Sequence, residues 1–151
     1  MPIKSFRGKL TDGSQETIHL HTNNGSTGYR IVKFEGMPAK PGTVSSEHVL
    51  KIFKIEQTTP LTDPATVDFS DNTLIAAALV GNSTNTQQFT QSNDTVVVFD
   101  NEIFNQDIYV THVDNNGTEA CNFHIELEQI KLDLNQNTVA TLKDIRNIAS
   151  Q

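Results

Sequence analysis

A chain of 151 residues with a net charge of −7 suits one domain around one core. Its 18 Thr, 14 Asn, 9 Ser and 9 Gln leave too little Ala, Glu, Lys and Leu for long charged helices, so strands joined by polar turns are expected. Only three arginines occur, Arg7, Arg30 and Arg146, which argues against a phosphate-binding face, and no apolar run approaches a membrane span, so neither nucleic acid nor membrane is expected as a partner.

The opening MPIKSFRGKL carries no apolar signal-peptide core, and the single Cys121 has no partner for an internal disulfide. Both features fit a chain made in a reducing cytoplasm. Asn-x-Ser/Thr sequons at Asn24, Asn82, Asn93 and Asn116 follow from the abundance of Asn and Thr and carry little weight without a signal peptide.

Along the chain, residues 3–10 form a weak first strand. Residues 16–21 and 29–34 flank Asn23-Asn24-Gly25, and residues 108–113 and 120–127 flank Asn115-Asn116-Gly117. Asn-Gly accepts positive φ at both central turn positions, so two β-hairpins are predicted there. Between them, HVLKIFKIE (48–56) alternates as a strand. DNTLIAAALVG (71–81) is a continuous apolar run, either a buried strand or a short helix, and Gly81 with the flanking turn residues favours the strand by limiting its length. DTVVVFD (94–100) and FNQDIYVTHV (104–113) complete the set. The connections 35–47 and 57–68 are Pro-rich and read as irregular. Residues 81–94 form a long polar loop around Phe89, either a solvated excursion or a binding loop.

Phe123, Ile125 and Leu127 occupy one parity of a strand, whereas Ile130, Leu132 and Leu134 occupy the other. A bulge or bend near Glu128–Gln129 is expected to reconcile them, or the strand ends there. The final segment changes period. Val139, Leu142, Ile145 and Ile148 lie three apart, a helix stripe capped by Asn135 or Asn137, with Lys143 and Arg146 near its negative end. The expected architecture is therefore all-β: an antiparallel, jelly-roll-like β-sandwich of seven or eight strands over residues 1–134, with a C-terminal α-helix over 135–151. That helix packs on the domain itself or on a neighbour.

Chemistry-bearing residues are few. Gly13, five residues, then His19-Leu20-His21 begins like the metal strand of a cupin, and two histidines two apart share a strand face. A Glu is wanted three or four residues later, where Gly25 and Ser26 stand instead. None of His48, His112 and His124 lies in the Pro-x-Gly-x-x-His context of the second cupin motif. Two hairpin histidines without a metal are the expectation. Cys121-x-x-His124 lacks two further zinc ligands, and in a strand its members face opposite sides, so Cys121 reads as a small buried side chain. Glu126 and Glu128 share a face like paired glycosidase carboxylates, but the chain has no Trp platform for sugar, and a solvated acidic face is expected. With no P-loop, dinucleotide fingerprint, nucleophile elbow or zincin helix, no enzymatic activity and no cofactor are expected.

Three stretches, 4–34 (KSFRGKLTDGSQETIHLHTNNGSTGYRIVKF), 99–133 (FDNEIFNQDIYVTHVDNNGTEACNFHIELEQIKLD) and 137–147 (NTVATLKDIRN), together resemble small virion structural proteins of marine tailed bacteriophages, including cyanophages. The resemblance implies a non-enzymatic particle component, most simply a decoration or cement protein on the outer surface of the head. Its partners would be the major capsid protein or other virion proteins, and it could form a homo-oligomer. Acidity agrees, because packaged DNA would repel such a chain from the interior. A tail- or fibre-associated adhesion module is the alternative, and a cupin-like enzyme using His19 and His21 the second. Phe6 and Arg7 in the first strand, and Val139, Leu142, Ile145 and Ile148 in the helix stripe, are the expected assembly contacts.

Overall fold

A computed structural model describes residues 2–20, 22, 25–58, 66–82 and 95–132. Eight strands run in chain order: β1 (Ile3–Leu10), β2 (Gln15–Ile18), β3 (Thr27–Pro38), β4 (Ser46–Phe53), β5 (Leu74–Asn82), β6 (Thr95–Phe99), β7 (Ile108–Asp114) and β8 (Cys121–Lys131). They form two antiparallel sheets, one ordered β1-β8-β3 and the other β2-β7-β4-β5-β6. The described residues contain no helix. The expected C-terminal helix with Val139, Leu142, Ile145 and Ile148, together with most of the polar loop and His21, lies outside them.

The core is sandwiched between the sheets. Phe123, Ile125 and Leu127 of β8 alternate inward, meeting Leu50 and Ile52 of β4, Ile108 and Val110 of β7 and the small Ala76 and Ala78 of β5. Each step of two residues returns a side chain to the same face, so the alternation in the sequence becomes one apolar surface per sheet. The outward face of β4 is buried as well. Val49, Lys51 and Phe53 are all buried, and the Thr66 carbonyl accepts a hydrogen bond from Lys51 Nζ at 2.8 Å. This is why two lysines, Lys51 and Lys54, sit inside an otherwise apolar stretch. Lys54 Nζ is satisfied by Glu102 at 2.8 Å.

The two parities of β8 are reconciled differently from the expectation. β8 runs to Lys131 with no register shift of its own, and the bulge lies in its partner β3, between Ile31 and Lys33. Tyr29 and Ile31 face inward before it and Phe34 after it, leaving Val32 exposed. Beyond β8, Leu132 is buried over Gly28, where an added Cβ would meet Leu132 and Ile103 side-chain carbons at 3.0 Å. Leu132 is thus covered from outside the sandwich, while Ile130 is half-buried and Leu134 lies outside the described residues.

Both predicted hairpins are corrected. β2 pairs with β7 and β3 with β8, so the Asn-Asn-Gly segment after β2 carries the chain from one sheet to the other. The segment after β7 does the same, because β7 and β8 belong to different sheets. A two-residue hairpin turn of that type needs positive φ at Asn as well as Gly. Among the described residues no non-glycine has positive φ, and of the two Asn-Asn-Gly glycines only Gly25 does, at 64°. At the second corner the Asp114 carboxylate takes over, accepting the N–H groups of Asn116 and Glu119 at 3.0 Å and of Glu47 at 3.1 Å. It ties the corner to the start of β4. The hairpins that do form are β4–β5 and β5–β6.

Candidate functional site

Among the described residues, Phe6, Arg7, His19, Glu126 and Glu128 do not gather at one place. Phe6 is half-buried and packs against the core from β1, while its neighbour Arg7 is exposed on the outer face of the sheet, opposite His124. His19 is exposed just beyond β2, with Nδ1 3.4 Å from Asp107 Oδ2, and the other oxygen of Asp107 accepts the Leu20 N–H at 2.8 Å. Cys121 points inward and His124 outward, as the strand period requires. Glu128 pairs with Arg30 across β8 and β3, and Lys33 lies 3.3 Å from Glu35. The outer face of that sheet carries charges of both signs.

A cluster the sequence reading did not assemble lies inside the sandwich. His48 stands opposite Asp114, and His112 opposite Leu50, on the adjacent strands β4 and β7. All four therefore share the inner face, and the two imidazoles meet diagonally with centroids 5.0 Å apart. Cys121 opens β8 in the facing sheet. His48 and Cys121 are 0% exposed and His112 is 1% exposed. One potential ligand atom from each of the three lies within 4.8 Å of the others.

The hydrogen bonds fix the tautomers. Thr11 O can only accept, so His112 Nδ1, 3.0 Å away, carries the proton and His112 Nε2 is a bare lone pair. That lone pair lies 2.8 Å from His48 Nδ1, which must therefore donate. His48 Nε2 is left as an acceptor, buried and without a partner. Ser46 Oγ, two residues earlier on the same face of β4, is also buried and unpartnered. Burial pushes both imidazoles below their ordinary pKa, and the charge of His112 lowers that of His48 further. Burial pushes the Cys121 thiol up to about 12. Burial opposes the charge of Asp114 too, but its three backbone donors outweigh it and hold the carboxyl below its usual range.

The second feature is an edge. β1 is guarded by the exposed Lys4, Arg7 and Lys9, β2 has four residues, and β3 carries a bulge with Lys33 and Glu35. These are the usual protections of an open strand. β6, the last strand of the five-stranded sheet, reads Thr-Val-Val-Val-Phe, with no charge and no proline. Val96 is 55% and Val98 43% exposed. On one side Val98 borders a cleft with the exposed Phe69, and on the other Val97 and Phe99 border a groove with Val32 and Phe34.

No protein-family description matches the chain, and no curated protein is significantly similar to it.

Proposed function

We propose that the chain is a non-enzymatic structural protein of a tailed-phage virion, a decoration or cement protein seated on the outer surface of the head. The observation that carries the reading is the unguarded β6 edge. An apolar strand whose outer edge pairs with no other strand among the described residues, where the other three sheet edges are protected, suits addition of an extended segment of the shell protein as a sixth strand. Binding of that kind stabilises the occupied shell by mass action. The net charge of −7 and the lack of a basic face favour the outside of the particle over contact with DNA.

The strand order supports a jelly-roll reading of the sandwich, since β1, β3 and β8 lie in one sheet while β2, β4, β5, β6 and β7 lie in the other. The likeness of residues 4–34, 99–133 and 137–147 to marine phage virion proteins points the same way, as an association only.

The test is binding of the purified full chain to heads that lack it. Val96→Lys with Val98→Lys should abolish head binding while leaving unfolding within about 0.5 kcal/mol of the parent, because both side chains are exposed. Undiminished binding by that variant would remove β6 from the interface. Virions should hold the chain in numbers comparable to the shell protein. A handful of copies per particle would favour the tail-adhesion alternative, for which deletion of 81–94 should abolish adsorption with heads intact.

A further inference from the structure

We propose that His48, His112 and Cys121 form a buried binding site for one late first-row transition-metal ion of borderline or soft character, with zinc as its simplest occupant. Two imidazole nitrogens and a thiolate are the donor set such ions select over magnesium or calcium, which take oxygen. Nothing in this proposal depends on the virion reading, since the cluster lies on β4, β7 and the start of β8, away from β6.

Three observations carry it. First, the donors are already gathered, all within 4.8 Å of one another. Nitrogens at about 2.0–2.1 Å from a tetrahedral ion stand about 3.3 Å apart, so the His48–His112 pair need open by only about half an ångström. Second, His112 is oriented as a metal ligand usually is. Its Nδ1–H is held by the Thr11 carbonyl at 3.0 Å, which aims the Nε2 lone pair into the cluster. Third, the sulfur of the site is short of strong partners. The Cys121 thiol has only weak sulfur contacts, with Met37 O at 3.5 Å and Asn122 O at 3.4 Å.

Coordination exchanges the His–His hydrogen bond for bonds to the ion. His112 supplies Nε2 without gaining or losing a proton. His48 remains neutral, its one proton residing on whichever nitrogen does not bind. Cys121 must lose its proton, because the thiolate is the ligand. Loading therefore releases about one proton per ion near neutral pH. Two ligands come from one sheet and the third from the other, so the ion would cross-link the sandwich through its interior. Because the donors are fully buried, loading is expected while the strands close.

The experiment refolds the full chain, reduced and metal-free, with one equivalent of Zn²⁺, Cu⁺ or Co²⁺, each in its own arm. Zn²⁺ should raise the melting temperature by several degrees, saturating at one ion per chain with about one proton released. Co²⁺ should give a thiolate-to-metal charge-transfer band and the strong visible absorption of a tetrahedral centre. Tighter binding of Cu⁺ at the same residues would assign the site to the softer ion and support it equally. Cys121→Ala should lose the charge-transfer band and the stoichiometric stabilisation, and His19→Ala should keep both. Since Cys121→Ala could fail to fold, the Co²⁺ spectrum of the unaltered chain stands as an independent reading. A folded, reduced chain that shows no thiolate band with Co²⁺ and no stabilisation by Zn²⁺ or Cu⁺ would overturn the proposal. So would stabilisation that persists in a folded Cys121→Ala variant.

Discussion

Gly36 is where the packing of the two sheets can be tested most directly. It lies on β3 after the bulge, opposite Phe123 of β8, and faces the five-stranded sheet. A Cβ placed there would lie 2.6 Å from Leu50 Cδ1 and 2.9 Å from Val80 Cγ2. Carbon atoms rest at about 3.5–4.0 Å, so one neighbour must retreat by roughly 1 Å. Leu50 is 0% exposed and Val80 2%, and neither has open space to move into. Gly36→Ala should therefore cost about 1–3 kcal/mol through overpacking, offset by the 0.4–1 kcal/mol that Gly→Ala commonly gains through the unfolded chain. A net loss of about 1–2 kcal/mol is expected. Leu50→Ala alone should cost about 2–5 kcal/mol.

The decisive measurement is the double variant. Leu50→Ala removes the very carbon that the methyl introduced by Gly36→Ala would strike, and that methyl fills part of the space left behind. The pair should cost less than its parts by about 1–2 kcal/mol, a coupling well above the 0.3–0.5 kcal/mol scatter of independent sites. Urea unfolding of the parent, both single variants and the double variant reads this as midpoints at a common slope. Additive losses, or a Gly36→Ala variant more stable than its parent, would mean that β3 does not pack over β4 and β5 as described.

Further outcomes follow from buried polar groups. Asp114→Ala removes the acceptor of three backbone N–H groups at the β7–β8 corner and should cost about 2–4 kcal/mol in urea unfolding, given about 1.5–3 kcal/mol per bond to a charged group and incomplete additivity. An effect below half a kcal/mol would deny the corner that role. Lys54→Met removes the ammonium 2.8 Å from the mostly buried Glu102 carboxylate and should cost about 2–4 kcal/mol, with most of it restored by adding Glu102→Gln, because a neutral amide needs no counter-charge. His48 and His112 are both held below 6.5 by burial, so the unfolded chain takes up protons before the folded one does. Their contribution to the metal-free protein is complete above pH 6.5 and is lost as the pH falls below it. A His48→Gln, His112→Gln variant that keeps the same acid slope between pH 7 and pH 5 would contradict that assignment.

Strand positions were legible because β-branched and apolar runs such as HVLKIFKIE and DTVVVFD stand between turn residues, and in CNFHIELEQIKLD burial alternates openly from Cys121 to Leu127. Sheet membership was not. Asn-Asn-Gly announces a turn but does not say whether the chain doubles back or crosses to the other sheet, and both occurrences cross. The bulge was inferred from the right symptom and placed on the wrong strand. The extra residue lies in β3, where Val32 can face solvent at little cost, while Leu132, of the second parity, packs over Gly28 outside the sandwich. The interior cluster needed both strand assignment and strand order. His48 falls on the parity of Leu50 and Ile52, and His112 on that of Val110, so each strand alone signals one buried histidine. Only the pairing of β4 with β7 brings the two rings together, and only the facing sheet adds Cys121.

Interior cluster and open edge should respond separately to perturbation. β5 stands between β4 and β6 in the five-stranded sheet, and its side chains toward the core are the small Ala76 and Ala78 and the β-branched Val80, which lies opposite His48. A half-ångström adjustment between His48 and His112 meets there only alanines and a valine stiff at χ1 through which to reach β6. Loading the cluster with zinc should therefore slow unfolding and raise the melting temperature, yet leave the dissociation constant for heads unchanged within about twofold, or 0.4 kcal/mol, at a temperature where both forms are folded. Val96→Lys with Val98→Lys should do the reverse. Equilibrium binding to heads, measured for loaded and metal-free chain and for both forms of the variant, makes four comparisons. If zinc alone changed head affinity tenfold, the two parts would be coupled by about 1.4 kcal/mol. The sheet between them would then have to be a moving element, contrary to its close packing.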